Sequence, residues 1–276
     1  MLQRSQVFGL GLSLAITGAM PATALAQDAG AGAQPALAET IRVGVSAGPH
    51  AEVLDVVAKE AAKAGLTLEV IEFTDYVLPN AALAAGEIEA NSFQHQPYLD
   101  KQIEDRGYDL VSVGQTLVFP LGFYSKTVTS FEALADGATI AIQNDPTNGG
   151  RSLLLLQAKG YLRLREGTGL TPSIGDVIEN PRGFTFLELD AAQLARALDD
   201  VDAASVNTNY AVEAGLDPVK DAILREAADS PYANVIAVRR ADAGAPWVEV
   251  LVAAYRSQPV KDFVLSRFGG AVVVTW

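Results

Sequence analysis

Between Ile41 and Phe73 the chain alternates in a way that few folds accommodate. Ile41–Ser46 (IRVGVS) is β-branched and alternating, and Gly48-Pro49 then turns the chain. Ala51–Ala64 repeats apolar residues at helical spacing until Gly65, and Leu66–Phe73 (LTLEVIEF) alternates again. Strand, helix and strand of this length make a β-α-β unit, whose strands lie parallel with a right-handed crossover. The same grammar continues with a short helix through Ala85, a strand at Glu87–Ser92, a charged helix to Arg106 and a strand at Leu110–Val118. After Phe119-Pro120-Leu121-Gly122 it restarts. A short helix at Phe131–Leu134, a strand at Ala138–Ile142, a small helix near Ile174–Ile178, a strand at Phe184–Leu189, a helix at Ala191–Leu198 and a strand at Val201–Val206 follow. Ser230–Asn234 breaks the pattern, Val235–Arg239 is extended, and two helices precede Val272–Trp276. The expected fold class is α/β in two halves of similar size, with breaks at Pro120–Gly122 and Pro231–Asn234 as crossings between lobes. A cleft between lobes is the implied place for a ligand.

Composition narrows what such a fold does. The chain has 276 residues, 49% of them hydrophobic, enough for a large core or two lobes. Its net charge of −13 repels nucleic acid and anionic lipid surfaces, so neither is an expected partner. It has no cysteine and two histidines, His50 and His95, which excludes disulfides, thiol catalysis, cysteine-ligated metals and cysteine acylation. No metal or other cofactor is expected. Arg4 followed by an apolar run from Val7 to Met20, then Ala24-Leu25-Ala26, has the form of a cleavable export signal over residues 1–26. Residues 27–40 are rich in Ala and Gly and are expected to form a flexible leader.

The candidate site residues cluster after strands. In Gln143–Gln157 (QNDPTNGGRSLLLLQ), Asn144-Asp145-Pro146 ends a strand and Thr147, Asn148 and two glycines open a helix, with Arg151 in its first turn. A helix start is electropositive, so an arginine there is unfavourable unless a carboxylate lies between the two, gripped by a two-pronged fork. The alternative is a solvent-exposed arginine beside an ordinary Asx turn. The stretch lacks the G-x-x-x-x-G-K-[ST] pattern, which sets nucleotide binding aside. Tyr76 follows the second strand; Phe93, His95 and Tyr98 follow the third. In open α/β sheets ligands bind beyond the carboxyl ends of strands, although such aromatics also serve as core filler. Asn207 after Val206 is either a turn former or a group that orients a zwitterion.

DYVLPN (75–80), FQHQPYLD (93–100), NDPTNGGRSLLLLQ (144–157), VNTNYA (206–211) and SPYAN (230–234) together resemble the bacterial methionine-binding proteins of the NLPA lipoprotein family, the substrate-binding components of methionine ABC importers. The resemblance runs from Ile41 to Trp276. It implies a two-lobed periplasmic binding protein fold, type II-like, with one amino acid in the interlobe cleft. The lobes would be 41–119 with 235–276, and 120–234. Arg151 would hold the ligand carboxylate with help from Asn148. Asn207 and Asn234 would bind the amino and carboxylate groups, and Tyr76, Phe93, His95 and Tyr98 would form the side-chain pocket. An aromatic box suits a thioether.

The resemblance implies capture of methionine, with the L and D forms both as candidates, and delivery to an importer's permease and ATPase, without catalysis. Many members of the family are lipoproteins acylated at a cysteine. This chain has none, so the expectation is a free periplasmic monomer cleaved after Ala26. Within the same class the ligand could instead be a methionine-containing dipeptide or another apolar amino acid. The rival from another class is an exported hydrolase, disfavoured by two histidines, no cysteine and no G-x-S-x-G elbow. A surface adhesin would need an exposed apolar patch.

Overall fold

Glu39 and the β-branched Thr40 and Ile41 open the first described strand, β1 (Glu39–Ser46), two residues ahead of the expected start and inside the expected leader. The structure is a computed structural model that describes residues 39–227 and 229–276; the export signal and the rest of the leader lie outside the described residues. Gly48, at φ 72°, ends the turn and caps α1 (Pro49–Ala62), which buries Val53, Leu54, Val57 and Ala61 on one face. β2 (Leu66–Phe73), α2 (Leu78–Ala85), β3 (Ala90–His95), α3 (Gln96–Arg106) and β4 (Leu110–Val118) complete the first half.

The second half begins with β5 (Gly122–Tyr124) and a single helical turn at Phe131–Ala133, followed by β6 (Thr139–Gln143) and α4 (Pro146–Ala158). β7 (Arg163–Leu164) and β8 (Val177–Glu179) form a small antiparallel pair. β9 (Thr185–Leu189), α5 (Leu194–Ala197), β10 (Ala203–Val206), α6 (Thr208–Glu213) and β11 (Leu224–Arg225) follow. The chain closes with β12 (Ala233–Arg239), α7 (Pro246–Tyr255), α8 (Gln258–Phe268) and β13 (Val273–Val274).

Besides the β7–β8 pair, two larger sheets form among the described residues, one in each lobe. The first orders β13-β4-β12-β3-β1-β2, and the second β11-β5-β10-β6-β9. β1 pairs in parallel with β2 and β3, as the β-α-β pattern requires, while β12 inserts antiparallel between β3 and β4. The second sheet repeats the device: β6 is parallel to β9 and β10, and β5 is antiparallel to β10. Residues 119–121 and 226–232 are therefore the crossings, and they touch. Glu226 N–H donates to Leu121 O at 2.9 Å, and Leu121 N–H to the Glu226 carboxylate at 3.2 Å.

Each sheet is covered on both faces. α1, α7 and α8 bury Val53, Leu54, Leu251, Tyr255 and Val264 against one face of the first sheet, and α2 and α3 bury Leu83 and Leu99 on the other. In the second lobe Leu153 and Leu156 of α4 pack with Phe123, Phe131 and Ile140, while Leu194, Tyr210 and Ala211 cover the opposite side. At about 25 cal/mol per Å² of apolar surface removed from water, these clusters are the main stabilising term.

Several expected elements move. The third strand is Ala90–His95, not Glu87–Ser92, because the alternation of Glu87-Ile88-Glu89 reflects an edge contact: Glu89 accepts from Arg42 Nη2 at 2.6 Å and from Arg42 N at 2.7 Å. Phe93 and His95 therefore lie within β3 rather than after it. The α4 helix begins at Pro146, so Arg151 sits in its second turn, not its first. Gly149 and Gly150 are inside the helix and serve close approach. A Cβ on Gly149 would stand 2.5 Å from Gln143 O, and one on Gly150 would stand 2.8 Å from Leu170 O. Near Ile174–Ile178 only one helical turn forms, over Ile174–Asp176, before β8.

Candidate functional site

The carboxyl ends of β2, β3, β6 and β10, the first crossing and the start of β12 converge on one cavity. Its walls include Tyr76, Phe93, His95, Tyr98, Asn148, Arg151, Asn207 and Asn234, all eight residues expected from the sequence, and the cavity they line measures about 20 Å³. His50, Gln94, Phe119 and Asn209 also line it and were not foreseen.

Arg151 is 3% exposed and its charge is matched from within the protein. Its Nε donates to Glu226 Oε1 at 3.1 Å, its Nη2 donates to Glu226 Oε2, and Nη2 also donates to Phe119 O at 2.9 Å. The guanidinium lies 4.3 Å over the ring of Tyr232. The two-pronged fork expected for a ligand is thus turned to Glu226, and Nη1 has no hydrogen-bond partner among the described residues. The helix start is also taken by an internal carboxylate. Asp145 caps α4 by accepting from Thr147 N at 3.2 Å and Asn148 N at 2.9 Å. Burial raises the Asp145 pKa, and the hydrogen bonds from Asn148 and Thr147 oppose that rise.

Asn148 is fixed on both sides. Its Nδ2 donates to Asp145 Oδ2 at 2.9 Å, and its Oδ1 accepts from Asn207 Nδ2 at 2.9 Å. His95 Nε2 lies 3.3 Å from the same Oδ1. Because His95 Nδ1 accepts the Tyr98 N–H at 3.1 Å and so caps α3, the ring proton belongs on Nε2, which donates to Asn148. Gln143 Nε2 donates to Asn207 Oδ1 at 2.8 Å, and Ser152 Oγ donates to Gln143 Oε1 at 2.7 Å. One buried polar chain thereby runs from β3 across the cleft into β10. Burial pulls the His95 pKa down to about 3, with the Arg151 charge adding to it. Burial alone does the same to His50.

The other end of the cavity is aromatic. Tyr76 stands 6.0 Å from Phe93, 6.2 Å from Tyr98 and 5.1 Å from Tyr210, centroid to centroid. Phe93 and Tyr98 meet edge to face at 6.1 Å. Two hydrogen bonds cross between the lobes here. Tyr76 Oη donates to Asn209 Oδ1 at 2.6 Å, and Tyr210 Oη donates to Thr74 O at 3.2 Å. Burial pushes the pKa values of Tyr76, Tyr98 and Tyr210 up, so the rings stay neutral. Behind Phe93, buried Asn80, Asn91 and Gln94 close a ring of amides in which Asn80 Nδ2 donates to Gln94 Oε1 at 2.7 Å and Gln94 Nε2 donates to Asn91 Oδ1 at 3.0 Å.

A guanidinium and converging amides at one end and the rings of Tyr76, Phe93 and Tyr98 at the other fit a small molecule with a carboxylate head and an apolar tail. The family model of the NlpA lipoproteins matches residues 41–276. The chain belongs to the NlpA lipoprotein family. A Vibrio cholerae protein named "Probable D-methionine-binding lipoprotein MetQ" is 49% identical over 249 residues, covering 90% of this chain and 93% of that protein. The Escherichia coli K12 "D-methionine-binding lipoprotein MetQ" is 48% identical over 239 residues, covering 86% of this chain and 88% of that protein. A solved structure of a nutrient binding protein from Burkholderia cenocepacia bound to methionine is 52% identical, with a TM-score of 0.84, over 86% of this chain and 100% of that one.

Glu226, His50 and Asn209 escaped the sequence reading. Glu226 is 75 residues from Arg151, and nothing local marks it as the partner. His50 carried one visible signal, a histidine directly after the Gly48-Pro49 turn at the end of a strand.

Proposed function

We propose that this NlpA-family chain is an exported substrate-binding protein that captures methionine and delivers it to the permease and ATPase of an ABC importer. The observation that carries the reading is the polarity of the cleft. One buried, permanently charged guanidinium stands at one end and an aromatic box at the other, matching the carboxylate and thioether of one amino acid. Arg151 Nη1 takes the carboxylate while Glu226 holds the opposite edge of the guanidinium. Asn148, Asn207 and Asn234 bind the head group. Tyr76, Phe93, His95 and Tyr98 surround the side chain, each sulfur–aromatic contact contributing about 0.3–1.5 kcal/mol. The lobes divide as 41–119 with 235–276, and 120–234. The reading is of binding without turnover, and it fits His95, whose two ring nitrogens are engaged in holding Asn148 and α3.

The mature protein is a monomer in the periplasm, cleaved after Ala26 and free of an acyl anchor, since its 276 residues include no cysteine. Intact-mass measurement of protein recovered from cells reads cleavage and acylation together. Titration calorimetry with a panel of amino acids, including both enantiomers of methionine, tests the ligand. Heat with methionine is expected; no heat with either enantiomer beside clear heat for another amino acid would remove the assignment.

A further inference from the structure

His50 is the second residue of α1, 3% exposed, and lines the cavity without belonging to the expected site. Its ring stacks on Phe119 at 4.1 Å with an interplanar angle of 17°. Phe119 is the residue whose carbonyl holds Arg151 Nη2. The structure places Asn234 Nδ2 2.9 Å from His50 Nε2, and His50 Nδ1 is buried with no hydrogen-bond partner among the described residues. The two ends of a carboxamide have the same shape, so two arrangements satisfy the contact. In one, the ring proton sits on Nδ1 and Nε2 accepts from the amide, which buries an orphaned N–H. In the other, the proton sits on Nε2 and donates to Asn234 Oδ1, so the unmet group at Nδ1 is only a lone pair. A buried donor left without an acceptor is the costlier defect. The second arrangement turns the Asn234 Nδ2 group toward the cavity.

We propose that His50 is a positioning residue that, as the Nε2–H tautomer, holds the Asn234 amide by its oxygen and presents its N–H donors to the ligand carboxylate. The inference rests on the methionine reading above and assigns Asn234 to the acid end of the ligand. The location agrees. Asn234 is two residues from Tyr232, over whose ring the Arg151 guanidinium lies at 4.3 Å, so amide and guanidinium share one end of the cleft. His50 also clamps that end from behind, through Phe119. Burial keeps the ring neutral, so it acts as a fixed donor and not as a charge.

Only two histidines are present, which makes the ring proton directly observable. Nitrogen-15 NMR of histidine-labelled protein at neutral pH is expected to show protonated Nε2 and bare Nδ1 at both rings, with His95 as the internal reference. A His50 signal from Nδ1–H overturns the inference. Calorimetry supplies the second reading, with methionine and with 4-(methylthio)butanoate, which keeps the carboxylate and thioether but lacks the ammonium. His50→Phe preserves the stack on Phe119 and removes the donor. It is expected to weaken both ligands by the same factor, roughly tenfold, the scale of one hydrogen bond to a charged group. His50→Gln, whose Nε2 can donate to Asn234, is expected to restore most of the loss. A loss confined to methionine would place Asn234 on the ammonium and overturn the assignment, as would unchanged affinity for both ligands. A wild-type chain that binds neither acid sinks the methionine reading, and this role with it; an Nδ1–H tautomer in a chain that binds methionine sinks the role of His50 alone.

Discussion

At the end of the cleft nearest the crossings, Arg151 is held by Glu226, Phe119 and Tyr232, which reach it from both crossings, while its own position is set by α4 of the second lobe. At the far end, Tyr76, Phe93 and Tyr98 come from one stretch of 23 residues in the first lobe, and Tyr210 and Asn209 meet them from the second. The first end is built from charge and hydrogen bonds whose members depend on one another. The second is built from surfaces that tolerate small shifts. Removing a member of the first should therefore leave a buried group stranded, whereas removing a member of the second should mostly remove contact area.

Arg151→Ala is expected to give the largest effect, a loss of methionine affinity of about a hundredfold or more, as an uncompensated ligand carboxylate demands. It should also destabilise the fold by about 3–5 kcal/mol, because Glu226, whose side chain is 11% exposed, loses its partner. Calorimetry and urea unfolding read the two separately, and affinity lost without any stability change would break the picture of an interdependent end. Phe93→Ala is expected to cost up to about tenfold in affinity, the scale of one or two sulfur–aromatic contacts. Its stability loss of about 3 kcal/mol should match that of other buried aromatics.

Tyr76→Phe keeps the ring and removes only the bond to Asn209. About 1 kcal/mol is expected, seen as a faster ligand off-rate in stopped-flow fluorescence. A larger effect than that of Phe93→Ala would mean that the aromatic end works by hydrogen bonding after all. The smallest effect on affinity is expected from pH. Both imidazoles have folded pKa values of about 3 against an ordinary 6.5, so neither titrates in the folded protein between pH 8 and 5. Methionine affinity should be flat across that range. Stability behaves otherwise: the unfolded chain takes up the protons that the folded one refuses, so this contribution is complete above pH 6.5 and is lost as pH falls toward 3. His95→Gln should flatten the slope of unfolding free energy just below pH 6.5.

How far the sequence carried differs between these two ends for the same reason. The aromatic end was legible because its members lie close together beside recognisable strand ends, at 76 and at 93–98. Arg151, Asn148, Asn207 and Asn234 were each legible as polar residues after a strand or a break. Their partners were not, since Glu226, Phe119 and His50 come from distant segments that meet only when the crossings pack. The strands followed suit. Long β-branched runs such as 66–73 were found, while β5, β7, β8 and β11, of two or three residues, have no period to detect. β3 was displaced because ANSFQH is buried at every position, so polar residues face the interior and amphipathic alternation misleads.

The pairing of Arg151 with Glu226 also sets how the cleft meets its solution. A lone cation at the bottom of a cavity in a chain of net charge −13 would cast a field that counter-ions and stray anions follow. With its monopole cancelled within a few ångströms, the cavity offers only short-range forces, and an amino acid at neutral pH carries no net charge for a distant field to pull. Encounter is then governed by diffusion, and capture should proceed at nearly the same rate in dilute and in salty medium. For the exported protein proposed above, working where ionic strength is not controlled by the cell, that indifference would be a useful property.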